Sequence, residues 1–142
     1  MMHFETTFPV RYYETDQMGV VHHSNYIRYF EIARNTMMSE GGFPIEICEK
    51  EERVMIPIVK VDCTFKHPAR MGDVLTATAT IDRVPLAKLV VKQSVRNQDG
   101  EVCAEGSVTL GFINSLTFRP VGCPERLRKL IEASMEEGQG ND

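Results

Sequence analysis

The chain has no C-x-x-C pair, no excess of basic residues, no leader-like N-terminus and no apolar run long enough to cross a bilayer. Each absence removes a class of function. The four cysteines, Cys48, Cys63, Cys103 and Cys123, stand far apart, so neither a zinc site nor a disulfide framework is expected. Lone cysteines inside apolar strand patterns are usually small buried hydrophobes, which suits a reducing, cytoplasmic setting. The 16 basic residues against 20 acidic give −4 at pH 7, so no overall positive field argues for nucleic acid. Met1 to Thr7 lacks both the charged and the apolar region of a signal peptide. No stretch approaches the roughly 20 apolar residues that span a bilayer, so no integral membrane segment is expected.

What is present fits one domain over residues 1–142. At 42% hydrophobic and 25% charged, the chain has an ordinary globular composition that can bury a core. Phe4 to Tyr13 reads as a strand, and a polar turn, Glu14 to Gly19, follows it. Ser24 and Asn25 are good helix caps, and the pattern predicts a helix to about Glu40, stopped by Gly41, Gly42 and Pro44. Tyr26, Phe30, Ala33 and Met37 lie at helical spacing, with Ile27, Tyr29, Ile32 and Met38 widening the apolar face, so most of the circumference should be buried. Strands are expected at Met55–Lys66, Asp73–Val84, Leu89–Asn97 and Glu101–Asn114. Gln98-Asp99-Gly100 reads as a hairpin turn. A short helix is expected over Pro124–Glu137, and the tail 136–142 is expected to fray. One helix and then four long strands, after an initial strand, is an α+β pattern. No glycine fingerprint of a dinucleotide fold is present.

The stretch that carries chemistry is Tyr13-Glu14-Thr15-Asp16-Gln17-Met18-Gly19-Val20-Val21-His22-His23-Ser24-Asn25-Tyr26. It sets a carboxylate in a turn that leads into a helix N-terminus. The first amides of a helix have no internal partner, and the helix dipole adds partial positive charge there. That end can hold a developing oxyanion. A carboxylate across the same carbonyl can attack it or activate water. Gly19 would let the backbone come close to a substrate. By residue type alone, Asp16 reads first as a turn or capping carboxylate.

The run Asp16-x-x-Gly19-Val20-Val21-x-His23-x-Asn25-Tyr26, followed by Phe30-Glu31-x-Ala33-Arg34, resembles the signature of the 4-hydroxybenzoyl-CoA thioesterase family and its Tol-Pal-linked bacterial branch. Phe65-Lys66-His67-Pro68-Ala69-Arg70-Met71-Gly72-Asp73-Val74-Leu75 is similar to a later strand junction of that family. The likeness covers Phe8 to about Asn114. It implies an α+β hotdog fold, a long central helix wrapped by a five-stranded antiparallel sheet, and hydrolysis of an acyl-CoA thioester without metal or organic cofactor. It further implies that Asp16 is the catalytic carboxylate, as nucleophile or general base. The backbone N–H of His23 would meet the thioester oxygen and His22 would flank it. In this chain His22 stands where an aromatic residue such as Tyr is more usual.

Other readings are weighed beside these. The imidazole of His23 is expected to be structural. Adjacent His22 and His23 suggest a metal, but neighbouring side chains should diverge and no partner has ligand spacing. Asn25 and Tyr26 are expected to cap and pack the helix start, with Gly19, His22, Asn25 and Tyr26 counted as substrate-site residues. Glu31 and Arg34 are expected to form an ion pair on the helix surface or between subunits. Of the cations Lys66, Arg70, Arg83, Lys88 and Lys92, Arg70 and Lys88 are singled out for the CoA phosphates. The resemblance implies a homo-oligomer, dimer or tetramer, with the site at a subunit interface. The acyl group is expected to be short and aliphatic, or aromatic. The rivals are an acyl carrier protein thioesterase, a hotdog hydratase and a non-catalytic acyl-CoA-binding module.

Overall fold

The computed structural model describes residues 1–140, with Asn141 and Asp142 outside it. In chain order the elements are β1 (Met2–Pro9), a 3-10 turn (Tyr12–Glu14), α1 (Ser24–Glu40), α2 (Ile45–Glu51), β2 (Val54–Met55), β3 (Ile58–Phe65), β4 (Val74–Ile81), β5 (Lys88–Arg96), β6 (Val102–Gly111), β7 (Ile113–Asn114) and α3 (Glu125–Gly140). Five strands form one antiparallel sheet in the order β1-β4-β5-β6-β3, and β2 pairs with β7 in a small second sheet.

Alternation builds the layers. In β4, Leu75, Ala77, Ala79 and Ile81 are buried while Val74, Thr76, Thr78 and Thr80 lie outward, as a period of two requires. In β5 the buried set is Leu89, Val91, Gln93 and Val95. Against this face lies α1, packed chiefly on β1, β4 and β5, with Tyr26, Tyr29, Phe30, Ala33, Met37 and Met38 buried. The small alanines of β4 let the helix approach. β6 and β3 reach beyond it, and β3 is an edge strand with no fully buried residue. At Gly106 the strands come so close that an added Cβ would fall 1.9 Å from the carbonyl oxygen of Asp62, so only glycine fits there.

Several expectations need correction. The first strand ends at Pro9, because Glu14 accepts the backbone N–H of Arg11 at 2.8 Å and closes a turn. Pro57 separates β2 from β3. Pro44 does not simply stop α1: its extended backbone precedes α2, a helix the pattern does not predict. α3 runs on to Gly140, where a frayed tail from residue 136 is expected; residues 141 and 142 lie outside the described residues. Among the described residues, no helix is long and apolar enough to cross a membrane.

Candidate active site

The loop between β1 and α1 is held on three sides. Asp16 N–H donates to the Val20 carbonyl at 2.8 Å and Gly19 N–H to the Asp16 carbonyl at 3.0 Å, closing a tight turn. Gly19 has φ of +76°, a conformation that favours glycine. Val21 N–H donates to the Ala69 carbonyl at 2.8 Å, and Val20 bridges to Arg70. The Tyr26 hydroxyl accepts from Ala69 N–H at 3.3 Å. The carbonyl of buried Glu14 receives both His22 N–H and the side-chain amide of Asn25, each at 2.9 Å.

Asp16 is half-buried at the centre of this loop. Its Oδ1 accepts Met18 N–H at 2.8 Å and Val20 N–H at 3.5 Å, so the capping reading is physically realised. Its Oδ2 has no hydrogen-bond partner among the described residues. One oxygen thus fixes the carboxylate while the other remains available. The backbone N–H of His23, at the start of α1, likewise has no acceptor among the described residues, as first-turn amides do not. Asp16 and His23 line one hollow of about 330 Å³ whose walls include Met18, Val21, Tyr26 and Phe65. The Phe65 ring sits 5.5 Å from that of Tyr26 and 6.1 Å from that of His23. Burial raises the Tyr26 phenol above its ordinary range, so its hydroxyl stays protonated at neutral pH.

The structure therefore brings Asp16, Gly19, His23 and Tyr26 together, with His22 and Asn25 at the helix start. Neither Ser24 nor Asn25 caps α1. Instead Nδ1 of His22 lies 2.8 Å from the Ser24 hydroxyl and 3.3 Å from its amide, and Asn25 is buried against Glu14. The rings of His22 and His23 do not diverge; their centroids are 4.2 Å apart. Among the described residues, no cluster of three potential metal ligands occurs.

Arg70 lies beside the loop through its bridge to Val20. Lys88 does not: it begins β5 opposite Gly111, whereas the site lies at the Arg96 end of that strand, roughly 26 Å away at about 3.3 Å per residue. Glu31 and Arg34 form no ion pair within 4 Å among the described residues. Arg34 is buried and donates to Gln93 Oε1 at 2.9 Å, and Gln93 is itself fixed by donating to the carbonyl of Phe30 at 2.7 Å. Lys66 is paired with Glu105 and Lys92 with Asp82.

Of the residues that wall the hollow, Phe65 is the one that sequence reasoning does not single out, whereas Met18, expected near the pocket together with Met37 and Met38, does line it. The place of Phe65 at the end of β3, where it opens the second motif, is the signal the sequence carries. Phe65 is 52% exposed, unusual for a phenylalanine on the core-facing side of a sheet.

The comparisons agree with this architecture. A family model described as "Thioesterase-like superfamily" matches residues 10–131. The chain is 30% identical over 122 residues to the acyl-CoA thioester hydrolase YbgC of Escherichia coli, across 84% of this chain and 90% of that one. It is 29% identical over 132 residues to the acyl-CoA thioesterase YbgC of Helicobacter pylori, across 87% and 96%. The crystal structure of a DHNA-CoA thioesterase from Staphylococcus aureus superimposes with a TM-score of 0.89 at 25% identity, covering 100% of this chain and 97% of that one. With its α+β hotdog fold and its sequence both shared, the chain belongs to the thioesterase-like superfamily.

Proposed function

We propose that this protein hydrolyses the thioester of an acyl-CoA to a free acid and CoA, with Asp16 as the catalytic carboxylate. The observation that carries the reading is that the carboxylate of Asp16 and the N-terminus of α1 line the same partly apolar hollow. A thioester carbonyl seated there has a carboxylate on one side. On the other it has the free N–H of His23, with the positive helix end behind it. Asp16 either attacks the carbonyl carbon, giving an anhydride that water then opens, or draws a proton from the water that attacks. In both routes the C–S bond breaks, the oxygen of water enters the acid and the sulfur leaves as the thiol of CoA. The names of the YbgC relatives support the same reaction.

The finer parts of the reading rest on particular features. A hollow of about 330 Å³ walled by Val21, Tyr26 and Phe65 suits a short aliphatic or an aromatic acyl group. The motif from Asp16 to Tyr26 supports the 4-hydroxybenzoyl-CoA thioesterase branch and its Tol-Pal-linked subgroup. We take residues 1–142 as one such domain, working without metal or organic cofactor in the cytoplasm, where its four free thiols would stay reduced. The chain works as a homo-oligomer, a dimer or a pair of dimers. β3 supports this: it is an open edge with Ile58, Val59 and Phe65 exposed, and such an edge calls for a partner. A second copy paired antiparallel about Val61 would set Lys60 of each against Asp62 of the other.

The test is a panel of acyl-CoAs, straight-chain from two carbons upward and aromatic, with the released thiol read by a thiol-reactive dye. Turnover that peaks on short or aromatic acyl groups is expected. No thiol release from any member would overturn the reading.

A further inference from the structure

Asp16 stands on a ridge between two hollows. The second, of about 580 Å³, shares Asp16 with the first and no other residue; Tyr12, Tyr13, Thr15, Gln17 and Met71 line it. A thioester held at Asp16 is divided there, its acyl group on one side of the C–S bond and its thiol arm on the other. Resting on the thioesterase reading, we infer that the second hollow receives the thiol arm of CoA, with Tyr12 and Tyr13 as the surface on which its adenine stacks.

Size, ring exposure and charge each favour that direction. The second hollow is the larger and lies within the roughly 300–1,000 Å³ of small-molecule sites. The arm of CoA is long and amphipathic, which suits a hollow lined by Tyr12, Tyr13, Thr15 and Gln17, whereas the first hollow is walled chiefly by apolar Met18, Val21 and Phe65 with the Tyr26 ring. Tyr12 and Tyr13 are 79% and 78% exposed, two adjacent aromatic rings left in water beside a carboxylate. Large exposed rings next to a site mark recognition rather than core filling. The turn that carries them is already rigid. Glu14 N–H donates to the Arg11 carbonyl at 2.9 Å, and the Thr15 hydroxyl to the Tyr12 carbonyl at 2.8 Å. Stacking on a fixed turn costs little ordering.

Charge separates the two sides further. At the first hollow, Lys66 is tied to Glu105, and Nδ1 of His67 lies 3.2 Å from a carboxylate oxygen of Glu101. Arg70 adjoins Met71 of the second hollow and is exposed. Its guanidinium has no carboxylate within 4 Å among the described residues. An exposed cation next in sequence to a residue of the second hollow is thus free to meet phosphates.

The test uses CoA itself as the probe in titration calorimetry, together with kinetics on an acyl-CoA and on the N-acetylcysteamine thioester of the same acid, which lacks the nucleotide. Tyr12→Ala/Tyr13→Ala is expected to weaken CoA binding by about tenfold or more, the scale of a lost base stack. The ratio of kcat/KM for the CoA thioester to that for the truncated thioester should fall by a similar factor. Tyr12→Phe/Tyr13→Phe keeps the rings and should restore both readouts. CoA binding unchanged in the alanine variant would overturn the inference. So would equal losses on the two thioesters, which would mean that the tyrosines only hold the loop. If the wild type cleaved neither thioester yet bound CoA through these rings, the thioesterase reading would fail and the arm site would stand.

Discussion

The side-chain amide of Asn25 donates to the backbone carbonyl of Glu14, 2.9 Å away, and so ties the first turn of α1 to the residue two positions before Asp16. His22 N–H donates to the same carbonyl. Through these two hydrogen bonds the helix end and the carboxylate move as one unit. Asn25→Ala removes the side-chain donor from a buried position and should cost about 1–3 kcal/mol of stability. It should also lower kcat, because displacement of the loop misaligns the carboxylate with the His23 amide. Thermal melts and steady-state kinetics check both. A melt lowered with kcat intact would mean that the bond holds the fold but not the site.

The approach of β3 to β6 gives a second expectation. A Cβ on residue 106 would collide with the backbone of Asp62, and backbone cannot turn aside as a flexible side chain can. Gly106→Ala should therefore cost about 1–3 kcal/mol, the scale of overpacking, read as a thermal midpoint several degrees lower. An unchanged midpoint would show that the strands separate freely.

Burial pushes the thiols of Cys48, Cys103 and Cys123 up to about 11 from an ordinary 9. The folded chain thus holds these protons more tightly than the unfolded chain does. That stabilising contribution is complete below about pH 9 and is lost as pH rises from about 9 to 11. Urea midpoints should be flat from pH 7 to 8.5 and fall through that window. At pH 8 the thiolate fraction in the fold is very small, so alkylating reagents should label the native protein slowly and leave turnover intact. Rapid labelling of the native protein would contradict this burial.

Much of this was legible in the sequence, and the reasons differ from element to element. α1 was readable from Ser24 to Glu40 because Tyr26, Phe30, Ala33 and Met37 repeat at helical spacing, a local signal. The alternation in β4 is equally local. The turn at Tyr12–Glu14 was not readable, since it depends on one carboxylate folding back onto the amide of Arg11, and Tyr12 and Tyr13 are good strand residues. Arg34 looks like half of an i,i+3 ion pair. Its partner, Gln93, lies on another element 59 residues away, so only the fold could reveal it. The distance of Lys88 from the loop is illegible for a related reason: which end of β5 faces the site follows from strand direction, which composition does not carry.

The role given to the His23 amide separates backbone from side chain. His23→Ala keeps the N–H, so it should cost well under the roughly 100- to 1,000-fold of a lost oxyanion donor. Gly19→Val should cost more. The space around Gly19 is open, but its φ of +76° strains a β-branched residue and would deform the turn that carries Asp16. Circular dichroism confirms folding in each variant. A damaging His23→Ala beside a mild Gly19→Val would give the chemistry to the imidazole instead.

The central claim is that Asp16 is the reacting carboxylate, and kcat of Asp16→Asn on the best acyl-CoA of the panel tests it most directly. The amide is nearly isosteric and its oxygen still accepts the Met18 N–H that Asp16 holds at 2.8 Å, so the turn should survive. The account predicts a kcat lower by about 100- to 10,000-fold, the scale of a lost general base, with the melting curve and the oligomeric state unchanged. A folded Asn variant that turns over at close to the wild-type rate would contradict it.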